Sequence, residues 1–450
     1  MKKLGLLISF VFIILFIAAC GGSGSDSEGE GAAEGESETT KVESGDEDAT
    51  ELTFWTFQGI HVPFYEDAVE TWNEENPDRP IDLSAEVFPF DEMHNNLLVS
   101  LQSGEGAPDI ADIEINRFPN FLQGDIQLEP LNDIIEPEID NFVESRLNVY
   151  AKDGNYYGAP THVGASVMFY NTAILEEAGV DPDEIETWDD YVEAGETVVE
   201  ETGTPMTTYE DVSQWSFVQM ISQQSSDVFD VNGDVILDNQ TNIDTLQFIH
   251  DTIYDQEIAE TTPGGSHAEE EYFGFMNQGG AASVNMPLWY ASRFLEHMPD
   301  LKGDMIIRPM PAFEEGGNRT AGMGGTGTSV TKQSENTELA MDFLEHAKIS
   351  EEGNLKIWTE LGFDPPRHDV WDDEVMQEDN EFYQYFGDDI FDTLLDIRDE
   401  VADINITEET PLARDLIESQ VMPSVISSED GTSPQEALEE AAERLRSEQE

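Results

Sequence analysis

Leu52-Thr53-Phe54-Trp55-Thr56-Phe57 is rich in β-branched and aromatic residues, and reads as a strand. Its sequel decides the fold. Pro63 opens a helix in which Phe64, Tyr65, Ala68, Val69 and Trp72 share one face, and Asn76-Pro77 ends it. Ile81 to Phe88 alternates like a second strand. Asp91 starts another helix, with Met93, Leu97, Leu98 and Leu101 on one face, and Ser103-Gly104 stops it. Pro108 to Ile113 is a third strand. Strand and helix alternate, which predicts a layered α/β domain with parallel strands.

Working outward, the alternation persists. Thr187-Trp188-Asp189-Asp190 is a capping box, and Trp188, Tyr191, Val192, Gly195, Val198 and Val199 follow at helical spacing until Gly203. Ala281 to Met286 reads as a buried strand, and Leu339, Ala340, Phe343, Leu344 and Ala347 as one face of a helix. Gly322, Gly324 and Gly327 satisfy a dinucleotide-type glycine motif, but β-branched Thr328 to Thr331 follows where a helix is required. Close backbone approach or a hinge suits these glycines better. Asp230-Val231-Asn232-Gly233-Asp234 hints at a calcium loop, but its glycine is misplaced, and Asn-Gly predicts a hairpin turn. No nucleophile elbow, zinc-binding helix or phosphate loop occurs, and the eight His lack ligand spacing. No cofactor or metal is expected.

Upstream of the folded body the chain changes character. Lys2 and Lys3 precede an apolar run from Leu4 to Ile17, then Ala18-Ala19-Cys20. The run is too short for a comfortable membrane span and has signal-peptide flanks, so residues 1–19 read as a signal segment. Cys20 is the only cysteine of 450 residues, which excludes an internal disulfide. From Gly21 to Thr50 almost nothing is apolar, so residues 20–50 are expected to form a disordered acidic tether spanning roughly 30 Å. The charge extends far beyond that tether. Only ten of the 98 acidic residues lie between Asp26 and Asp48, and the net charge is -79. Such a surface repels nucleic acid and anionic lipid headgroups, and repels itself unless salt screens it. A salt-adapted host is expected.

Several stretches resemble family 1 extracellular solute-binding proteins of carbohydrate ABC importers. They are Phe54-Trp55-Thr56-Phe57, Ser103 to Ile110, Tyr157-Gly158-Ala159-Pro160, Met168-Phe169-Tyr170-Asn171, Phe275 to Ala282 and Ala321 to Gly325. Asp112 to Phe118, Thr161 to Gly164 and Tyr272 to Gln278 look like the arabino-oligosaccharide-binding lipoproteins among them. The Cys20 context resembles a bacterial lipobox, which implies diacylglycerol on its thiol and an acylated amine. The family implies two α/β lobes with ligand clamped between them. By resemblance the chain crosses between lobes near Pro160, Val284 and Gly327. That makes residues 51–160 with 285–326 lobe one, and 161–284 with 327–450 lobe two.

A sugar offers C–H faces and a rim of hydroxyls, so its cleft needs flat rings beside paired polar groups. Open α/β sheets place ligands at the carboxyl ends of parallel strands. Trp55 and Phe57 end the first strand; one is a stacking platform and the other core. Glu114 and Arg117 follow the third strand and suit hydroxyls, or else form a surface ion pair. His162 follows the Pro160 crossover, as hydroxyl donor or structural residue. Trp289 and Tyr290 are stacking candidates, as is Trp215 unless it is helix core. Gln223, Asp364 and Arg367 complete the set. The mechanism that the resemblance implies is capture by lobe closure, followed by docking on importer membrane subunits, with the protein expected to be a monomer. A secreted polysaccharide-degrading glycosidase and a surface lipoprotein without a transport role are the alternatives.

Overall fold

The computed structural model describes residues 38–449 apart from 45, 47 and 403. The signal segment and Cys20 lie outside the described residues. Lobe one is built on a six-stranded sheet in the order Glu38–Val42, Ile81–Val87, Thr50–Thr56, Ile110–Glu114, Thr326–Val330, Ala159–Pro160. The strands at 50–56, 81–87 and 110–114 run parallel, as the alternation predicts. The flanking strands are antiparallel. Helix His61–Glu75 begins two residues before Pro63, and helix Phe90–Ser103 ends at Gly104 with φ +78°. Leu52 and Phe54 of the central strand pack with Phe64, Tyr65 and Val69 on one face of the sheet. Met93 and Leu97 pack with Ala111 and Ile113 on the other. Burying each Leu, Ile, Val, Phe or Met side chain among these contributes about 1.5–3 kcal/mol.

Part of the expected tether is structured. Glu38–Val42 adds an edge strand against Ile81–Val87, and Ser44 N–H and Oγ both donate to Asp82 Oδ1 at 2.7 Å. Val42 lies against the lobe-one core, one apolar residue in an otherwise polar stretch.

Lobe two departs further from expectation. Its main sheet is antiparallel, with Ser166–Asn171 between Ser283–Pro287 and Met305–Pro309. Val284 therefore stays in lobe two, and residues 285–309 do not return to lobe one. Conversely, Thr326–Val330 joins the lobe-one sheet, and helices Thr337–Leu344 and Glu351–Leu361 cover it. The expected exchange of residues 285–326 and 327–361 is thus reversed. Beyond Val370 the buried apolar residues belong to the lobe-two cores, while Ile404 and Ile406 pack on the lobe-one core. The Thr187 capping box forms, and Asp230–Asp234 is a hairpin turn with Gly233 at φ +85°. No cluster of acidic, His or Cys side chains among the described residues could hold a metal.

The chain crosses between lobes at residues 160–166, 320–326 and 362–370, where the three segments bond to one another. Met323 N–H donates to Gly164 O (2.8 Å), and Ser166 N–H to Ala321 O (2.8 Å). Val163 N–H donates to Asp364 O (2.9 Å), while the Asp364 carboxylate accepts from Gly164 N (3.1 Å) and Ala165 N (2.7 Å). Gly164 has φ +76°, and a Cβ there would sit 2.1 Å from Met323 O. Glycine is required for that approach.

Candidate ligand cleft

The cleft opens between the lobes, with an empty volume of about 840 Å³ including its solvent mouth. Its lobe-one wall begins where parallel strands end. Phe57 follows strand Thr50–Thr56 and packs edge-on against Phe90 at 5.3 Å. Glu114 ends strand Ile110–Glu114, and its carboxylate accepts from Asn116 N (2.9 Å) and Nδ2 (2.7 Å). Beneath Phe90, His94 is held neutral. Burial pushes its pKa down to about 3, while Nδ1–H donates to Phe90 O (2.7 Å) and Nε2 accepts from Glu114 N–H (3.0 Å).

Behind this wall lies a buried polar network. Asp112, 0% exposed, accepts from His61 Nδ1 (2.7 Å), Thr56 Oγ1 (2.9 Å) and Thr328 Oγ1 (2.7 Å). Burial pushes its carboxyl up, but His61, Lys348 and Thr328 outweigh that and hold it below its ordinary value. Lys348 is itself fully buried; it donates to Thr161 Oγ1 (3.0 Å) and lies over Phe64 and Tyr65. His61 presents its other side to the cleft.

The lobe-two wall is aromatic. Trp215 opens helix Trp215–Gln223 and meets Trp289 edge-on at 5.4 Å. Buried Glu210 holds that helix start, accepting from Ser216 N (3.2 Å) and, on the other side, from His267 N (3.0 Å). Burial raises the Glu210 carboxyl to about 7. Trp289 is positioned by its neighbours, since Tyr290 Oη donates to His267 O (2.6 Å) and Ser292 Oγ to Trp289 O (2.9 Å). Among the described residues, Trp289 Nε1 has no hydrogen-bond partner, nor does either ring nitrogen of His162, which is 6% exposed. Burial pushes His162 well below the ordinary imidazole range, so it is a neutral ring with one donor and one acceptor to offer.

The two walls meet at Arg293, whose Nη2 donates to Gln58 Oε1 across the cleft (3.0 Å). They meet again at Arg414, 3.9 Å from Glu114 and stacked over Phe90 at 5.1 Å. Flat rings, carboxylates and unused N–H groups thus face one enclosed space. Such a lining suits a neutral polyhydroxylated ligand.

Six of the expected residues line this space: Phe57, Glu114, His162, Trp215, Trp289 and Tyr290. Five do not. Trp55 points to the opposite face of its strand from Phe54 and Thr56, and packs on Phe88 at 5.0 Å. Arg117 pairs with Asp91 (2.7 Å) and backs the Phe90 ring at 5.6 Å. Gln223 uses its amide on Trp188 Nε1 and the carbonyls of Pro311 and Asn318. Asp364 ties the crossovers together. Arg367 binds Asp369, Glu138 and Ile349 O. Trp289 and Tyr290 follow a lobe-two strand and do not mark a crossover. Unforeseen are Gln58, His61, Phe90, Glu210, Arg293 and Phe363. Phe90 obeys the strand-end rule that found Phe57, because it follows Ile81–Val87; Phe363 carries no local signal.

Residues 58–351 match the family model described as bacterial extracellular solute-binding protein. The chain is 60% identical over 407 residues to an arabinooligosaccharide-binding protein of Halalkalibacterium halodurans, covering 90% of this chain and 91% of that one. It is 52% identical over 406 residues to a protein of the same name from Bacillus subtilis, covering 90% and 93%. Among solved structures, the GacH receptor of Streptomyces glaucescens superposes with a TM-score of 0.72 at 21% identity, covering 89% of this chain and 98% of that one. A binding protein from B. animalis subsp. lactis in complex with beta-1,6-galactobiose gives 0.73 at 21%, covering 88% and 97%. These two share the fold. A two-lobed body with an interlobe cleft, matched in sequence through both lobes, places this chain in the bacterial extracellular solute-binding protein family.

Proposed function

We propose that the protein captures arabino-oligosaccharides outside the cytoplasm and delivers them to an ABC importer. The observation that carries this reading is the pairing of Trp215 and Trp289 beside Trp289 Nε1 and His162, which have no hydrogen-bond partner among the described residues. Rings would cover sugar faces while those nitrogens and Arg293 take hydroxyls. The names of the two curated relatives support the choice of sugar. Ligand touching both walls favours the closed arrangement, since it gains contacts there that the open lobes cannot offer. No step of bond cleavage is involved.

Cys20 carries the lipid anchor in this reading, and the body works as a monomer. The net charge of -79 fits a protein folding in concentrated salt. Calorimetric titration with linear arabino-, xylo- and malto-oligosaccharides in molar salt tests the proposal, with chromatography of each mixture afterwards. Saturable binding of arabino-oligosaccharide, recovered intact, is expected. Binding only of another sugar discards the ligand, and hydrolysis discards the binding-protein mechanism. Cys20→Ala is expected to release the protein from the membrane fraction.

A further inference from the structure

Glu210 links the supports of the two tryptophans. Its Oε2 accepts from Ser216 N–H (3.2 Å) and Ser216 Oγ–H (3.3 Å), one residue past Trp215. Ser216 N–H is a first-turn donor of helix Trp215–Gln223 with no carbonyl of its own helix to take it, and an anionic acceptor is favoured there. Glu210 Oε1 accepts from His267 N–H (3.0 Å) and Ser266 Oγ–H (3.2 Å). His267 O in turn takes the hydroxyl of Tyr290, the neighbour of Trp289.

The same carboxyl has a second place to go. His267 Nδ1 lies 3.8 Å from Glu210 Oε1 and has no hydrogen-bond partner among the described residues. His267 Nε2 is engaged by Thr208 Oγ1 (2.9 Å) and Thr262 Oγ1 (3.0 Å). Burial pushes His267 down to about 3, so the ring is neutral near pH 7. With its one proton on Nε2, Nδ1 is a bare acceptor. An ionised Glu210 has nothing to give it, whereas a carboxylic acid has an O–H. The other titratable groups facing Glu210 are Tyr272, on helix Glu270–Met276, and Tyr290. Burial holds both phenols well above their usual range, so neither ionises near pH 7. Asp211, next in the chain, accepts from Ser427 Oγ–H, and Arg293 of the same cleft is engaged by Gln58 and Glu296.

We infer that Glu210 is a positioning residue for the tryptophan pair, and that its proton decides whether the pair is set for ligand. Ionised, the carboxylate holds the start of the Trp215 helix. On taking a proton from solvent, Oε1–H donates to His267 Nδ1, the carboxyl moves toward that ring, and its hold on Ser216 weakens. Trp215 then slackens against Trp289. Burial, which raises the carboxyl to about 7, brings the exchange close to neutral pH. The inference rests on the carbohydrate reading above for what the pair holds.

The test titrates the full chain with a linear arabino-oligosaccharide by calorimetry between about pH 6 and pH 8, in buffers of differing ionisation enthalpy. Tryptophan emission of the sugar-free protein is followed over the same range. Wild type is expected to bind roughly three- to tenfold more tightly at the upper end, the worth of one hydrogen bond, and to release protons on binding. Its emission should step through a midpoint near 7. Glu210→Gln places an amide N–H where the acid carries its O–H. It should bind at the low-pH level throughout and emit without a step. Trp215→Phe should lose most of the emission step. Melting curves check the fold, and should Glu210→Gln unfold, proton release by wild type and the emission of Trp215→Phe still decide. Affinity flat in pH overturns the inference, as does a step kept by folded Glu210→Gln or untouched by Trp215→Phe. If no sugar of the arabino-, xylo- or malto- series binds, the carbohydrate reading falls, and the emission step alone decides whether Glu210 moves Trp215.

Discussion

The two walls of the cleft are made differently. On the lobe-one side, polar groups near the ligand space are already partnered: His61 by Asp112, His94 by Phe90 and Glu114, Glu114 by Asn116. On the lobe-two side and at the crossover, Trp289 Nε1 and His162 have no hydrogen-bond partner among the described residues. Lobe one presents a surface whose polar groups are already matched within the protein. Lobe two carries the unspent hydrogen-bonding capacity, so it gains most from closing on a sugar. Buried polar groups that stay unmatched are costly, which favours any state that matches them.

Removing the support of the lobe-one wall should have the largest effect. Asp112→Ala strands buried Lys348 and His61 without their carboxylate, and should cost about 3–5 kcal/mol, read by urea unfolding. A loss under about 1 kcal/mol would mean that the lobe-one wall is not braced by this network. Next comes the lobe-two wall. Trp289→Ala should weaken sugar binding by roughly thirtyfold or more, with little change in melting temperature. Phe57→Ala should weaken it less; equal losses would erase the distinction between the walls.

A pH effect sharpens the comparison. Burial raises Glu210 from 4.5 to about 7, so within that window the folded protein holds a proton that the unfolded chain has released. Its contribution to stability therefore falls as pH rises from 4.5 to about 7. The difference in unfolding free energy between wild type and Glu210→Gln should slope across that window and flatten above it. A slope unchanged by the substitution would place the titration elsewhere. The smallest effect is expected at Arg117. Its partner Asp91 is exposed, so Arg117→Ala should cost no more than about 1 kcal/mol in stability and leave sugar affinity within about twofold.

Much of the site followed from local rules. Phe57 and Glu114 were legible because they end parallel strands; Trp215 and Trp289 were legible only as aromatic rings able to stack, and the crossover expected at Trp289 lies elsewhere. Asp364 and Arg367 misled for the opposite reason. A Pro-marked loop with a charged pair looks like a binding loop in sequence, and here that charge satisfies backbone N–H groups and carboxylates at a crossover. Gln223 likewise spends its amide on carbonyls that are 88 and 95 residues away along the chain.

Hydrophobic periodicity, glycine stops and the capping box determined which segments became strands and helices, because those depend on neighbours a few residues apart. Recurrent motifs established the two-lobed family. Tertiary structure alone decided that Ser283–Pro287 stays in lobe two while Thr326–Val330 returns to lobe one. A buried strand reads the same whichever sheet receives it, and pairing is settled by partners distant in sequence. The same holds for the cleft: that Arg293 reaches Gln58 and Arg414 reaches Glu114 is a property of two folded walls brought face to face.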